Sequence, residues 1–134
     1  MSSKKLRMKI AIFENEYDTL ENSFLYLNNK FYSDRLEFKN FTRSQNLEDI
    51  QLIASYSLII IDIDLSAQSE LDGFGLIRKI ELEVPLHPSI LIMTGQELDS
   101  NYSEQNGLAK VYPILEKPVN FNKLRAEFLK LGIE

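Results

Sequence analysis

Short apolar runs alternate with amphipathic stretches along this chain, and the alternation repeats five times. The first run, Met8-Lys9-Ile10-Ala11-Ile12-Phe13, is closed by the polar turn Glu14-Asn15-Glu16. Leu20, Phe24, Leu27 and Phe31 then recur at helical spacing, which predicts a helix over about Tyr17 to Asn29. Arg35–Phe41 alternates instead, with Leu36 and Phe38 on one face and Glu37 and Lys39 on the other, and those charges suit an edge strand. Asn46 is placed to cap a second helix bearing Leu47, Ile50 and Ile53. Leu58-Ile59-Ile60-Ile61 is apolar on both faces and ends at Asp62, the pattern of a central parallel strand covered by helices on both sides. Beyond the loop Leu65–Leu71, Asp72-Gly73 opens a third helix carrying Phe74, Ile77, Ile80 and Val84. Ile90–Met93 forms a fourth strand ending at Thr94-Gly95, and Gln96–Lys110 reads as a poorer helix, rich in Asn and Ser and broken by Gly107. Val111–Leu115 is the fifth strand, set at a sheet edge by Pro113. After Lys117-Pro118, Asn120 can cap a last helix with Leu124, Phe128 and Leu131. The pattern is (βα)5: a doubly wound α/β fold with right-handed crossovers, whose central and edge signals predict the strand order 2-1-3-4-5.

In such a sheet ligands bind beyond the carboxyl ends of the strands, near the point where the winding reverses. Strand one ends in Glu14-Asn15, strand three in Asp62, strand four in Thr94 and strand five in Lys117. Singly, each has a plainer reading: an Asp caps a helix, a Thr satisfies a nearby backbone group, a Lys is solvated. Together they bring two carboxylates, an amide, a hydroxyl and an ammonium to one end of one sheet, a site for a hard divalent cation and an oxyanion. Composition narrows the alternatives. At 134 residues the chain is expected to be one domain, residues 1–134 with a core over about 7–131. Without cysteine there is no disulfide framework, thiolate metal site or thiol nucleophile, and the single His87 excludes a multi-histidine zinc site. The net charge of −5 argues against nucleic acid as a partner. No apolar run approaches membrane-spanning length, and the basic segment Met1–Met8 lacks the apolar stretch of a signal peptide, so a cytoplasmic location away from membranes is expected.

With these residues in view, the sequence resembles a response-regulator receiver domain over nearly its whole length. That family carries an acidic pair after strand one, a phosphoacceptor Asp ending strand three, Thr or Ser ending strand four, and Lys-Pro after strand five. Here those become Glu14-Asn15, Asp62, Thr94 and Lys117-Pro118, and the family's Asp-Gly at the third helix appears as Asp72-Gly73. The resemblance implies the flavodoxin-like fold, a cis Lys117-Pro118 peptide, and a phosphoacceptor role in a two-component system or phosphorelay. It implies that Asp62 takes a phosphoryl group from a sensor histidine kinase or phosphotransfer protein, assisted by Thr94 and Lys117. It further implies Mg2+ held by Glu14, Asn15, Asp62 and the backbone carbonyl of Asp64. On the same grounds the chain is not an enzyme beyond its own phosphorylation and dephosphorylation. With no output domain expected after the fifth helix, signalling would run through protein contact. The face implied is that of the fourth helix, strand five and fifth helix, around Tyr112 and Ile114, with a homodimer as a further option.

Three features depart from the family. Asn15 replaces the second acid, which weakens the expected hold on magnesium. The Leu65–Leu71 loop is longer than usual and lacks the common proline. Ile114 stands where an aromatic switch residue is common, with Tyr112 two positions back on the same side of the strand. These leave open a degenerate receiver that keeps the fold and binds a partner without phosphorylation. A flavin or nucleotide binder on the same fold fits less well, because its phosphate loop after strand one would here be the acidic Glu14-Asn15-Glu16.

Overall fold

The structure, a computed structural model, describes residues 6–134; residues 1–5, most of the basic N-terminal segment, lie outside it. Five strands form one parallel sheet: β1 (Met8–Phe13), β2 (Leu36–Phe41), β3 (Leu58–Asp62), β4 (Ser89–Thr94) and β5 (Ile114–Glu116). Their order is β2-β1-β3-β4-β5, with β2 and β5 at the edges as the sequence predicts. Winding reverses between β1 and β3, which pair with Ile12 beside Ile60. Every residue of β3 is buried. The helices are α1 (Glu21–Tyr32), α2 (Gly73–Glu83), the single turn α3 (Tyr102–Gln105) and α4 (Phe121–Lys130).

The strand period of two splits the interior into two layers. Ile10, Ile12, Leu58, Ile60, Leu91 and Met93 meet Phe24 and Leu27 of α1 and Leu124 and Phe128 of α4 on one face. Ala11, Phe13, Ile59, Ile61 and Ile92 meet Leu76, Ile77 and Ile80 of α2, together with Ile53, on the other. Asp72 caps α2 by accepting from the Gly75 N–H at 2.6 Å, and Asn120 caps α4 by accepting from the Lys123 N–H at 2.9 Å. Lys117-Pro118 is cis.

Several element boundaries differ from the sequence expectation. The second helix is two 3-10 segments, Ser44–Asn46 and Ile50–Ser55. Asn46 turns its side chain back to accept from the Arg43 N–H at 2.9 Å, and Asp49 restarts the chain by accepting from the Gln51 N–H at 2.9 Å. Short polar side chains that bond locally to the backbone compete with helix propagation. The expected helix over Gln96–Lys110 shrinks to α3, which closes at Asn106 just before Gly107, whose φ is +67°. The first helix begins later than expected, after a 3-10 turn at Tyr17–Thr19, and stops at Ser33 in the left-handed region at φ 51°. In β5 regular pairing starts only at Ile114, although the Pro113 carbonyl accepts from the Ile92 N–H at 2.9 Å.

One glycine is fixed by packing. A Cβ on Gly73 would lie 2.4 Å from both the Asp62 carbonyl oxygen and the Ile63 Cα, so only glycine lets α2 start against the end of β3. Gly73→Ala should therefore destabilise the fold by about 1–3 kcal/mol through forced displacement of that backbone. Urea unfolding of the two proteins measures this, and an unchanged midpoint would show that the helix can shift freely.

Candidate functional site

The site is assembled at the carboxyl ends of β1, β3, β4 and β5. The Glu14 N–H donates to the Phe41 carbonyl at 3.0 Å, and the Asn40 amide donates to the carbonyls of Ile12 and Glu14 at 3.1 and 3.0 Å. The edge strand thus fixes the backbone that delivers the Glu14 side chain inward, where it is 1% exposed. Asp62, the last residue of β3, is 2% exposed and accepts from the Asp64 N–H through Oδ1 at 2.8 Å. The Lys117 N–H donates to the Thr94 carbonyl at 2.8 Å, extending the β4–β5 ladder and aiming the side chain back across the sheet. Its Nζ donates to Glu14 Oε1 at 2.6 Å and to Asp62 Oδ2 at 2.9 Å. One ammonium therefore bridges two buried carboxyl groups.

The electrostatics follow from this packing. Burial pushes Glu14 up to about 7, helped by the neighbouring Asp62, while Lys117 opposes the rise. Burial also pushes Asp62 upward, but the adjacent Glu14 carboxyl, the Asp64 N–H and Lys117 outweigh it and hold Asp62 below the usual carboxylate range. Burial opposes the charge on Lys117, yet its bonds to the two carboxyl groups leave it raised. At neutral pH the trio thus holds a charged Asp62, a charged Lys117 and a Glu14 close to its midpoint.

The structure brings Glu14, Asp62 and Lys117 into direct contact. Thr94 is buried beside them, but its Oγ1 accepts from the Gln96 N–H at 2.9 Å rather than facing Asp62. Gln96 in turn donates its amide to both Asp64 carboxylate oxygens, at 3.0 and 3.1 Å. Asn15 and Asp64 are exposed at the rim. A cleft of about 380 Å3 bounded by Gly95, Gln96, Glu97, Glu116 and Lys117 opens next to the ammonium. Among the described residues no three His, Asp or Glu side chains form a metal-binding cluster. Glu14 Oε2, however, is buried with no hydrogen-bond partner. An orphaned carboxyl oxygen beside a second carboxylate is the donor chemistry a hard divalent cation takes, and Asn15 with the Asp64 carbonyl can add neutral oxygens.

No protein-family model matches the sequence, and no curated protein is significantly similar to it. Solved structures are. A receiver domain of the DNA-binding response regulator merR from Colwellia psychrerythraea superposes with a TM-score of 0.70 at 20% identity, over 95% of this chain and 99% of that one. A CheY-like receiver domain protein from Methanospirillum hungatei gives a TM-score of 0.64 at 22% identity, covering 94% and 93%. The BeF3-activated receiver domain of DrrB, a Thermotoga maritima protein, gives 0.69 at 16%, covering 96% and 100%. The chain has the receiver-domain fold. Asp62 and Thr94 are the last residues of β3 and β4, and Lys117 directly follows β5.

A second polar network was not legible in the sequence. Tyr102 Oη donates to the Tyr112 carbonyl at 2.7 Å and accepts from the Tyr112 N–H at 2.8 Å, while Tyr112 Oη donates to Glu81 of α2 at 2.5 Å. Glu81 also accepts from the Ala109 N–H, and Arg78 donates to the Asn106 carbonyl at 2.7 Å. Burial and the Glu81 carboxylate push the Tyr112 phenol well above its ordinary value. Tyr112 is therefore fastened to α2 and buried, so little of it is offered to the expected face, although it shares a surface groove with Leu131 at the end of α4.

Proposed function

We propose that this chain is a phosphoacceptor in two-component signalling, with Asp62 as the acceptor. The observation that supports this most directly is the buried Asp62 at the end of the central strand, held ionised 2.9 Å from Lys117 on a receiver fold. A carboxylate kept charged at neutral pH is the nucleophile the reaction requires. An Asp62 oxygen attacks the phosphorus of a phosphohistidine on a histidine kinase or phosphotransfer protein. The P–N bond breaks, the imidazole leaves, and an acyl phosphate remains on Asp62. Lys117 is positioned to pair with a phosphoryl oxygen. Thr94 can donate its hydroxyl to another once it turns the O–H away from the Gln96 carbonyl, 3.4 Å away. Glu14, Asn15, Asp62 and the Asp64 carbonyl would hold Mg2+, which neutralises charge on the phosphoryl oxygens. The chain acts only on its own side chain and passes the signal by contact with a further protein. Its net charge of −5 does not favour nucleic acid, and among the described residues no helix is long and apolar enough to cross a membrane. We place it in the cytoplasm, where histidine kinases present their phosphohistidine.

The test is incubation with Mg2+ and acetyl phosphate or phosphoramidate, followed by intact mass and peptide mapping. The expected result is one phosphoryl adduct on Asp62, absent in Asp62→Asn. No adduct in the wild type, or equal labelling of the variant, would instead identify a binding module that works without phosphorylation. With beryllofluoride as the phosphoryl mimic, backbone amide shifts should concentrate in residues 94–117 and spare residues 21–32. Uniform or absent shifts would remove a switch from the mechanism.

A further inference from the structure

The face formed by α1 and α4 carries an aromatic and cationic patch that the phosphoryl chemistry does not use. Leu25 and Tyr26 on α1 are 48% and 46% exposed, and Leu129 on α4 is 45% exposed. The Tyr26 ring meets Phe121 edge-on at 4.6 Å, and Phe121 stacks on Phe31 at 6.3 Å. Two cations ride on these rings. The Arg125 guanidinium lies 3.7 Å from the Phe31 centroid. The Lys30 ammonium sits 5.4, 5.6 and 5.8 Å from the centroids of Tyr26, Phe31 and Phe121, and donates to the Tyr26 hydroxyl at 3.2 Å. Among the described residues neither cation has a carboxylate within ion-pair distance. A groove of about 230 Å3 runs beside them, walled by Phe31, Tyr32, Arg125, Leu129 and Glu134.

On a chain of net charge −5, two unpaired cations set among half-exposed rings form a local exception. Stacking holds an arginine in one orientation, so less side-chain freedom is lost when its N–H fork meets a carboxylate. Aromatic and arginine side chains together are also the usual energetic centres of protein interfaces. A second copy of the chain is a poor occupant, because an isologous contact sets each patch against its own like charges. We propose that this face binds an acidic segment of a partner protein, its carboxylates on Arg125 and Lys30 and an aromatic or leucine side chain over Tyr26, Phe31 and Leu129.

The test pans a random dodecapeptide library against the full chain, then titrates the isotope-labelled chain with the enriched synthetic peptide. The expected winners carry Asp and Glu around an aromatic or leucine, and they shift amides of residues 25–31 and 121–129. Affinity should fall at least about tenfold in the Lys30→Ala/Arg125→Ala protein, which is 1.4 kcal/mol or more, and should weaken as salt rises. Asp62→Asn should bind as the wild type does, which separates this proposal from the phosphoacceptor reading. If the double variant loses its dispersed amide spectrum, Arg125→Lys, which keeps the charge but not the fork, must still lower affinity severalfold. The proposal fails on any of four results: no enrichment, enrichment of neutral or basic peptides, shifts outside the two helices, or unchanged affinity in the variants. It also fails if the same amides respond only to phosphatidylglycerol vesicles or to self-association seen by sedimentation.

Discussion

Lys117→Met should destabilise the protein by about 2–3 kcal/mol at pH 8 and by less at pH 6. The ammonium is the partner of two carboxyl groups, Glu14 at 2.6 Å and Asp62 at 2.9 Å, whose side chains are 1% and 3% exposed. Removing one partner from a buried ion pair generally costs about 3–5 kcal/mol, because the remaining charge stays buried without compensation. Two features reduce that figure here. Lys117 is itself 26% exposed, so part of its interaction is already screened by solvent. Glu14 also has a second option: with Lys117 gone, the influence that favours its ionisation disappears, and it keeps its proton at neutral pH. Acid supplies that proton more readily, so the penalty shrinks as pH falls. Methionine retains most of the apolar stem, so lost packing does not mimic the effect. Urea unfolding at the two pH values provides the measurement. A penalty independent of pH would mean that the two carboxyl groups do not share the ammonium in solution.

The sequence revealed those parts of the molecule in which one strand's side chains face a predictable environment. β3 was legible because a run apolar on both faces has no place except between two helical layers. Once it was central, the ends of β1, β4 and β5 had to open on the same side as Asp62. Glu14, Asp62, Thr94 and Lys117 could thus be gathered from four distant segments. What they do to each other was not legible. That Lys117 reaches both carboxyl groups, and that Thr94 is engaged with Gln96, depends on side-chain directions that topology leaves open. The helix expected between β2 and β3 is interrupted although its apolar positions have helical spacing, because Asn46 and Asp49 spend local backbone bonds that a helix needs. Between β4 and β5 the break at Gly107 was itself legible. The tie from Tyr112 to Glu81 crosses 31 residues and follows no periodicity. The only available signals were a tyrosine placed next to a proline at a sheet edge and an acid on the polar side of α2.

Stability should fall as pH rises from about 5 to about 8, with Glu14 as the cause. In the unfolded chain this carboxyl titrates at 4.5, whereas in the fold burial and the nearby Asp62 raise it to about 7. Between those values the native protein holds a proton that the unfolded chain has released. Its contribution to stability is therefore complete below the unfolded value and is lost as pH climbs through the folded one. At 1.36 kcal/mol per unit, the loss is about 2–3 kcal/mol. Asp62 works in the opposite sense but in another window. Its folded value lies below 3.8, so the stability it adds disappears only in stronger acid and leaves the Glu14 slope intact. Glu14→Gln isolates the effect, since a neutral side chain of the same shape has no proton to lose. Urea midpoints should decline for the wild type over this interval and stay nearly level for the variant. The variant should also match or exceed the wild type at pH 8, where the native protein otherwise carries two buried carboxylates on one ammonium. If both proteins decline together, the proton belongs to another group and Glu14 is ionised throughout.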